Sequence, residues 1–146
     1  LLLFGGGLAL STQFTESGLS DWIGEQMSSL GFLPIVLLVV VVGLVVLVLT
    51  EFTSNTATAA TFLPLVGAMA IGLGIDQMLL AVPVALAATS AFMMPVATPP
   101  NAIAYGSGYV SMGNMVRAGI WLNVFALVVI SAAAMTLLGW VFGVVY

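Results

Sequence analysis

The chain has 146 residues, of which 62% are hydrophobic and 4% are charged, and its mean hydropathy is +1.31. Soluble domains carry about 25% charged residues, so this composition predicts an integral membrane protein. Arg117 is the only basic residue, which excludes a nucleic-acid partner, and without cysteine or histidine the chain has no thiolate, imidazole or His-dependent catalytic chemistry.

Residues 1–30 predict the end of a transmembrane helix followed by an amphipathic helix at the membrane interface. The apolar start, LLLFGGGLAL, begins with Leu and has no charged region before it, so we expect the chain to be a fragment of a longer protein. In SGLSDWIGEQMSSLG, apolar residues recur at helical spacing while polar residues fill the other face. Trp22 suits the headgroup region, which favours an interfacial position for this helix.

Residues 31–75 predict a helical hairpin. Two apolar runs, 33–49 and 57–73, flank the polar stretch TEFTSNT. Each run gives about 25 Å of helix, at the lower edge of what spans a ~30 Å hydrocarbon core. The pair is therefore either two spanning helices with a polar turn in water or a re-entrant hairpin that turns inside the protein. The second run is rich in small residues, which indicates contact with protein and favours the re-entrant hairpin.

Residues 76–110 predict a broken transmembrane helix. The apolar segment from Met78 is long enough to span, but Pro95, Pro99 and Pro100 remove backbone donors and exclude a continuous helix. We expect the break around ATPPN, residues 97–101. Irregular backbone at membrane depth is tolerated where it is buried in protein or lines a cavity, and it is typical of ion and substrate sites in secondary transporters.

Residues 111–146 predict one C-terminal transmembrane helix, from about Val116 to Val141. Trp121 and Trp140 lie near its ends, as is usual at membrane interfaces. The predicted fold class is therefore an all-α membrane protein in which a re-entrant hairpin precedes a discontinuous helix.

The two polar interruptions, TSNTAT and ATPPNA, have similar chemistry and lie on neighbouring elements, so we expect them to meet. Helix-terminal carbonyls before Thr50, together with the side-chain oxygens of Thr50, Ser54 and Asn55, suit a small cation such as Na⁺. Free N–H groups at the start of the helix after Thr56 suit a carboxylate, even without Arg or Lys. Any one of these residues is also typical of a helix cap or a packing surface, but two interruptions together favour a cation pocket beside an anion pocket.

Glu51 adjoins the first interruption, and intramembrane carboxylates are functional candidates. It is either a partner for nearby backbone donors or a charge at the site. The sequence leaves these two interpretations open, so no role is assigned to it.

TEFTSNTATAATFLP and AFMMPVATPPNAIAYGSGYV together resemble the C-terminal repeat of the divalent anion:sodium symporter family, the sodium-coupled carriers of dicarboxylates, tricarboxylates and sulfate. The resemblance covers essentially the whole chain. It implies one half of an inverted-repeat transporter, with the N-terminal repeat outside this chain, and a homodimer that works by elevator-type movement. It also implies a multi-pass protein of a bacterial inner (plasma) membrane, with Na⁺ as the coupling ion.

The same resemblance implies roles for individual residues. Substrate contacts would come from Ser54, Asn55, Thr56, Thr98 and Pro99. One sodium would be bound by side-chain or carbonyl oxygens of Thr50, Thr53, Asn55 and Ala97. At Thr53 the carbonyl is the expected ligand. We expect Na⁺ to bind first and to order both interruptions, so that anion affinity depends on sodium.

The function predicted from these observations is sodium-coupled transport of a divalent anion, with a C4-dicarboxylate such as succinate as the expected substrate. Citrate and sulfate fit the same groups, and a non-transporting structural subunit of a membrane complex is the alternative from another class. Proton coupling is disfavoured, because the chain has no histidine and Glu51 is the single carboxylate expected at membrane depth. No nucleophile–base pair is visible, so we do not expect an enzyme.

Overall fold

The computed structural model describes residues 34–143 without a gap and, before them, residues 5, 6, 9, 12, 13, 16–19 and 22. All regular secondary structure in these residues is α-helical, which confirms the all-α part of the predicted class. The helices are α1 (Ile35–Thr50), α2 (Asn55–Gly72), α3 (Met78–Ala88), α4 (Pro99–Gly106) and α5 (Met112–Phe142). The helix end and interfacial helix predicted for residues 1–30 lie for the most part outside the described residues.

Helices α1 and α2 form a hairpin whose turn is only four residues long, 51–54. Valine-rich α1 would be a poor helix in water, but an apolar medium requires each backbone N–H to be bonded within its own segment. Helix α2 starts two residues before the predicted apolar run. Its start is set by Ser54, whose extended backbone (φ −69°, ψ 134°) has N-cap geometry.

Helix α3 is the centre of the packed part of the chain. It contacts α1, α2 and α5, and α1 and α5 also contact each other. Its buried side chains are Leu79, Leu80, Pro83, Val84, Ala87 and Ala88. Because α3 is enclosed in this way, its C-terminal end is held beside the turn of the hairpin.

Two helices, α3 and α4, lie where the sequence predicts a broken helix, and the gap between them begins earlier than expected. Helix α3 ends at Ala88, residues 89–98 are non-helical, and α4 begins at Pro99. The expected position, 97–101, was wrong because Pro99 and Pro100 occupy the first helical positions of α4. Proline is favoured there, since its fixed φ suits a helix and no N–H is needed. Thr98 precedes them in an extended conformation (φ −142°, ψ 151°) and accepts a hydrogen bond from the Asn101 N–H.

Helix α5 extends further in the N-terminal direction than the predicted 116–141. It starts after the N-cap Ser111, whose hydroxyl accepts from the Asn114 N–H at 3.3 Å, and it ends at Gly143, which has a left-handed φ of +67°. Among the described residues, α2 and α5 are long and apolar enough to cross a membrane, whereas α1 and α3 are shorter apolar helices.

Candidate functional site

The turn of the hairpin and the break between α3 and α4 line a single cavity of about 360 Å³. We call residues 51–55 the hairpin tip and residues 89–98 the break. The lining residues are Phe52, Thr53, Ser54, Asn55, Thr56, Val96, Ala97, Thr98 and Pro99. The two polar interruptions therefore meet, as the sequence predicts. The cavity brings together every residue expected to contact the substrate and every expected sodium ligand except Thr50.

Thr50 lies behind the cavity and is completely buried. Its hydroxyl oxygen is 2.6 Å from the Ala88 carbonyl oxygen and 2.9 Å from Asn55 Oδ1. Three oxygens thus converge with one hydroxyl hydrogen among them, which can be donated to only one acceptor. A small cation, or a rotation of the Asn55 amide that turns its NH₂ group towards Thr50, would satisfy the remaining pair.

Thr53 is held by its own side chain. Its hydroxyl donates to the Leu49 carbonyl at 2.9 Å and lies 2.6 Å from the hydroxyl of Thr58. The hydroxyl therefore ties the tip to the end of α1 and to the first turns of α2. This arrangement agrees with the expectation that Thr53 would offer its carbonyl oxygen, rather than its hydroxyl, to an ion.

The two helices that start at the cavity differ in what they offer an anion. Helix α2 starts with unoccupied amides, because Ser54 makes no side-chain cap hydrogen bond and the first turn of a helix has no internal acceptors. Helix α4 starts with Pro99 and Pro100, which have no N–H, and the next N–H is bonded to Thr98 Oγ1. The amide donors for an anion therefore come from the hairpin, and the break contributes the Thr98 hydroxyl.

The cavity has no charged side chain in its lining. Arg117 lies on α5, is exposed and does not line the cavity. In the part of the chain that the structure describes, no group of three or more His, Cys, Asp or Glu residues could hold a metal ion. The available ligands are hydroxyl, amide and carbonyl oxygens, which suit a hard monovalent cation, and backbone N–H groups, which suit an anion.

Glu51 is completely buried at the tip and is a partner for backbone donors, the first of the two interpretations that the sequence left open. Its carboxylate accepts from the N–H groups of Phe92, Met93 and Met94 at 2.8–3.0 Å. It also accepts from Asn123 Nδ2 at 2.7 Å. Every one of these donors is a neutral amide, and the side chain does not line the cavity.

Three residues near the break were not found from the sequence. Asn101 Nδ2 donates to the carbonyls of Ala91 and Met94, at 3.1 Å each. Asn123 is a buried amide in the apolar helix α5. A polar residue within an apolar run is a signal that could have identified it as a functional candidate. Gly119 lies against the break so closely that a Cβ would stand 2.6 Å from Met93 Cα. Nothing in the sequence distinguishes this glycine from the others.

A helical hairpin and a broken helix whose ends share an oxygen-rich cavity have the architecture of a secondary-transporter binding site. The family model described as "Sodium:sulfate symporter transmembrane region" matches residues 1–144. The chain belongs to this family and is part of an integral membrane protein, and its resemblance to the divalent anion:sodium symporters is confirmed.

Two relatives of the chain are named as transporters, in agreement with its family. The chain is 45% identical over 130 residues to the sodium-dependent dicarboxylate transporter SdcS of Staphylococcus saprophyticus subsp. saprophyticus. It is 48% identical over 130 residues to the protein of the same name from Staphylococcus aureus (strain USA300). Each alignment covers 89% of this chain and 25% of the relative. The chain therefore spans about a quarter of the length of the curated relatives it matches.

Proposed function

We propose that the protein containing this chain carries a divalent anion across a membrane together with Na⁺, and that the anion is a C4-dicarboxylate such as succinate. The observation that carries the proposal is the shared cavity, in which the amide-rich start of α2 faces the oxygens of the break. The printed names of the relatives, sodium-dependent dicarboxylate transporters, support the choice of ion and substrate.

In this proposal, Na⁺ binds to the hydroxyl of Thr50, the side chain of Asn55 and the carbonyls of Thr53 and Ala97. The Thr50 hydroxyl oxygen lies close to Asn55 Oδ1 and to the Ala88 carbonyl oxygen, and these three oxygens share a single hydroxyl hydrogen. This arrangement supports a cation at Thr50. A carboxylate of the substrate binds to the free N–H groups of α2, with hydrogen bonds from the hydroxyls of Ser54, Thr56 and Thr98 and packing against Pro99. Asn55 serves both ligands, which makes anion affinity depend on sodium.

The remainder of the site belongs to an N-terminal repeat outside this chain, and the whole protein works as a homodimer in a bacterial inner membrane. The hairpin is re-entrant, with its tip inside the protein. The length of α1 supports this topology, since its 16 residues give about 24 Å of helix against a hydrocarbon core of ~30 Å. Transport domain and ligands cross together by an elevator-type movement.

The proposal is tested by uptake of labelled succinate into proteoliposomes that contain the full-length parent protein. We expect uptake with an inward Na⁺ gradient and none when K⁺ or choline replaces Na⁺. Uptake without Na⁺ would mean that the protein is a carrier whose transport is not coupled to Na⁺. If succinate, citrate and sulfate all fail in the presence of Na⁺, the structural-subunit alternative replaces the carrier.

Thr50→Val is expected to raise the Na⁺ concentration for half-maximal uptake by about tenfold, because one hydrogen bond or ion contact to a charged group is worth ~1.5–3 kcal/mol. Thr50→Ser keeps the hydroxyl and should stay within about twofold of the parent protein. The measurement is initial uptake rate against Na⁺ concentration. Thr136→Val, which removes a hydroxyl bonded to the Ala132 carbonyl on the exposed side of α5, is the matched control. Equal effects at positions 50 and 136 would remove Thr50 from the sodium site.

A further inference from the structure

The break exposes backbone groups that a helix would have satisfied internally. At membrane depth, N–H and C=O groups without a hydrogen-bond partner are strongly unfavourable, so a stable break needs partners from elsewhere. In residues 91–94, three N–H groups and two carbonyls obtain theirs from two side chains. These two side chains are Glu51 and Asn101.

Glu51 satisfies the donors. Its two carboxylate oxygens accept from three consecutive N–H groups, those of Phe92, Met93 and Met94. Met93 N is 3.0 Å from both oxygens, so the carboxylate is centred on this residue. Since Glu51 directly follows Thr50 in the hairpin, these hydrogen bonds fix the tip to the break.

Asn101 provides a partner for two of the acceptors, the carbonyls of Ala91 and Met94. Its side-chain NH₂ group donates to the carbonyls of Ala91 and Met94, one with each hydrogen. Asn101 belongs to α4, while Ala91 and Met94 follow α3, so this amide connects the two halves of the discontinuous helix. Met94 is therefore held at both of its backbone polar groups, by Glu51 and by Asn101.

Helix α5 also packs against the break. Gly119 lets its backbone approach Phe92 and Met93, and one turn later Asn123 donates to the Glu51 carboxylate at 2.7 Å. Glu51 is completely buried and Asn123 is 5% exposed, so water does not compete for these bonds. Each of the partners that hold the break is a residue of the protein itself.

We propose that Glu51 and Asn101 are positioning residues that hold the break in its binding shape before Na⁺ arrives. This inference rests on the proposed function, and it revises the expectation that Na⁺ orders both interruptions. The N–H groups of Phe92, Met93 and Met94 and the carbonyls of Ala91 and Met94 have protein partners without an ion, so Na⁺ orders the hairpin tip alone. The Ala97 carbonyl and the Thr98 hydroxyl, three and four residues beyond Met94, are then held opposite the tip in the empty carrier.

A hydrogen–deuterium exchange measurement on the full-length parent protein in Na⁺-free and Na⁺-containing buffer tests the inference directly. We expect the amides of Phe92, Met93 and Met94 to exchange slowly in both buffers, and peptides covering 52–56 to slow down only with Na⁺. Fast exchange at 92–94 that becomes slow with Na⁺ would overturn the proposal. The measurement needs no transport, so its result is separate from that of the uptake assay.

Glu51→Gln and Asn101→Asp test the functional consequence with nearly isosteric changes. Each places a group of the wrong polarity against the break: an NH₂ group among donors in the first, an oxygen against carbonyls in the second. A less preorganised site binds its first ligand more weakly, so the Na⁺ concentration for half-maximal uptake should rise by about tenfold or more. The succinate KM at saturating Na⁺ should stay within about twofold of the parent value, because filling the sodium site restores the cavity.

Two matched controls separate positioning from general stability. Asp76→Asn makes the same carboxylate-to-amide change at an exposed loop residue, and Asn114→Asp makes the same amide-to-carboxylate change at an exposed position of α5. Both should leave the sodium dependence unchanged. If Glu51→Gln and Asn101→Asp lower only the yield of folded protein and leave the sodium dependence as in the controls, neither residue has a positioning role. If neither variant folds, the hydrogen–deuterium exchange of amides 92–94 in the parent protein decides whether the proposal stands.

Discussion

Asn55→Ala is expected to weaken sodium and succinate binding together, each by about tenfold or more, since hydrogen bonds to charged groups contribute ~1.5–3 kcal/mol. The Asn55 side chain lies 2.9 Å from the Thr50 hydroxyl, a proposed sodium ligand, and also lines the cavity proposed for the substrate. Removing the amide takes away the group next to the Thr50 hydroxyl. It also removes the side chain proposed to contact both Na⁺ and the substrate. The measurements are Na⁺ binding without substrate and succinate binding at saturating Na⁺, both on the full-length protein.

Asn114→Ala is the control for this experiment, because Asn114 is an exposed amide at the start of α5, outside the cavity. It should leave both affinities unchanged. A variant at position 55 that loses sodium binding but keeps full succinate affinity at saturating Na⁺ would contradict a tip shared by both ligands. The reverse result would assign sodium to other oxygens.

Gly119→Ala is expected to have the largest effect on stability. The added Cβ would lie 2.6 Å from Met93 Cα and from the Phe92 carbonyl oxygen, and 2.7 Å from Met93 N. These are backbone atoms, and Glu51 already holds the Met93 N–H, so the contact is relieved by moving α5 away from the break. Overpacking of this kind costs about 1–3 kcal/mol or more, so the apparent melting temperature should fall by about 5 °C.

Gly113→Ala provides the comparison within the same helix. No atom lies within 4 Å of a Cβ at position 113, so this substitution should be neutral or slightly stabilising through its helix propensity. Thermal unfolding of the purified full-length variants, followed by tryptophan fluorescence, measures both. Equal melting temperatures for the two variants would mean that α5 does not rest on the break through Gly119.

Apolar run length and proline position were sufficient to predict the order of the helical elements. The hairpin at 35–72 and the discontinuity before Pro99 follow from local rules, namely hydropathy and the missing N–H of proline. The position of the break could not be read in the same way. Thr89 and Ser90 end α3 by bonding their hydroxyls to the Leu86 carbonyl, and a Thr-Ser pair also occurs inside helices.

The meeting of the tip and the break was predictable because both carry polar groups that an apolar medium does not satisfy. The pairing of the groups that hold the break was not predictable, because Glu51, Gly119 and Asn123 come from distant parts of the chain. Glu51 and Asn123 are 72 positions apart, and the contact of Gly119 with Met93 depends on how α5 crosses the break. A single sequence shows which residues are present but not which of them contact each other in the folded protein.

The two prolines at the start of α4 have a further consequence for the protein when its cavity is empty. If α3 and α4 were to join into one continuous helix, Pro99 and Pro100 would stand in its interior, at a cost of about 3 kcal/mol each. Both prolines thus act against the continuous form. The prolines therefore favour α3 and α4 as two separate helices even when the cavity holds no ligand.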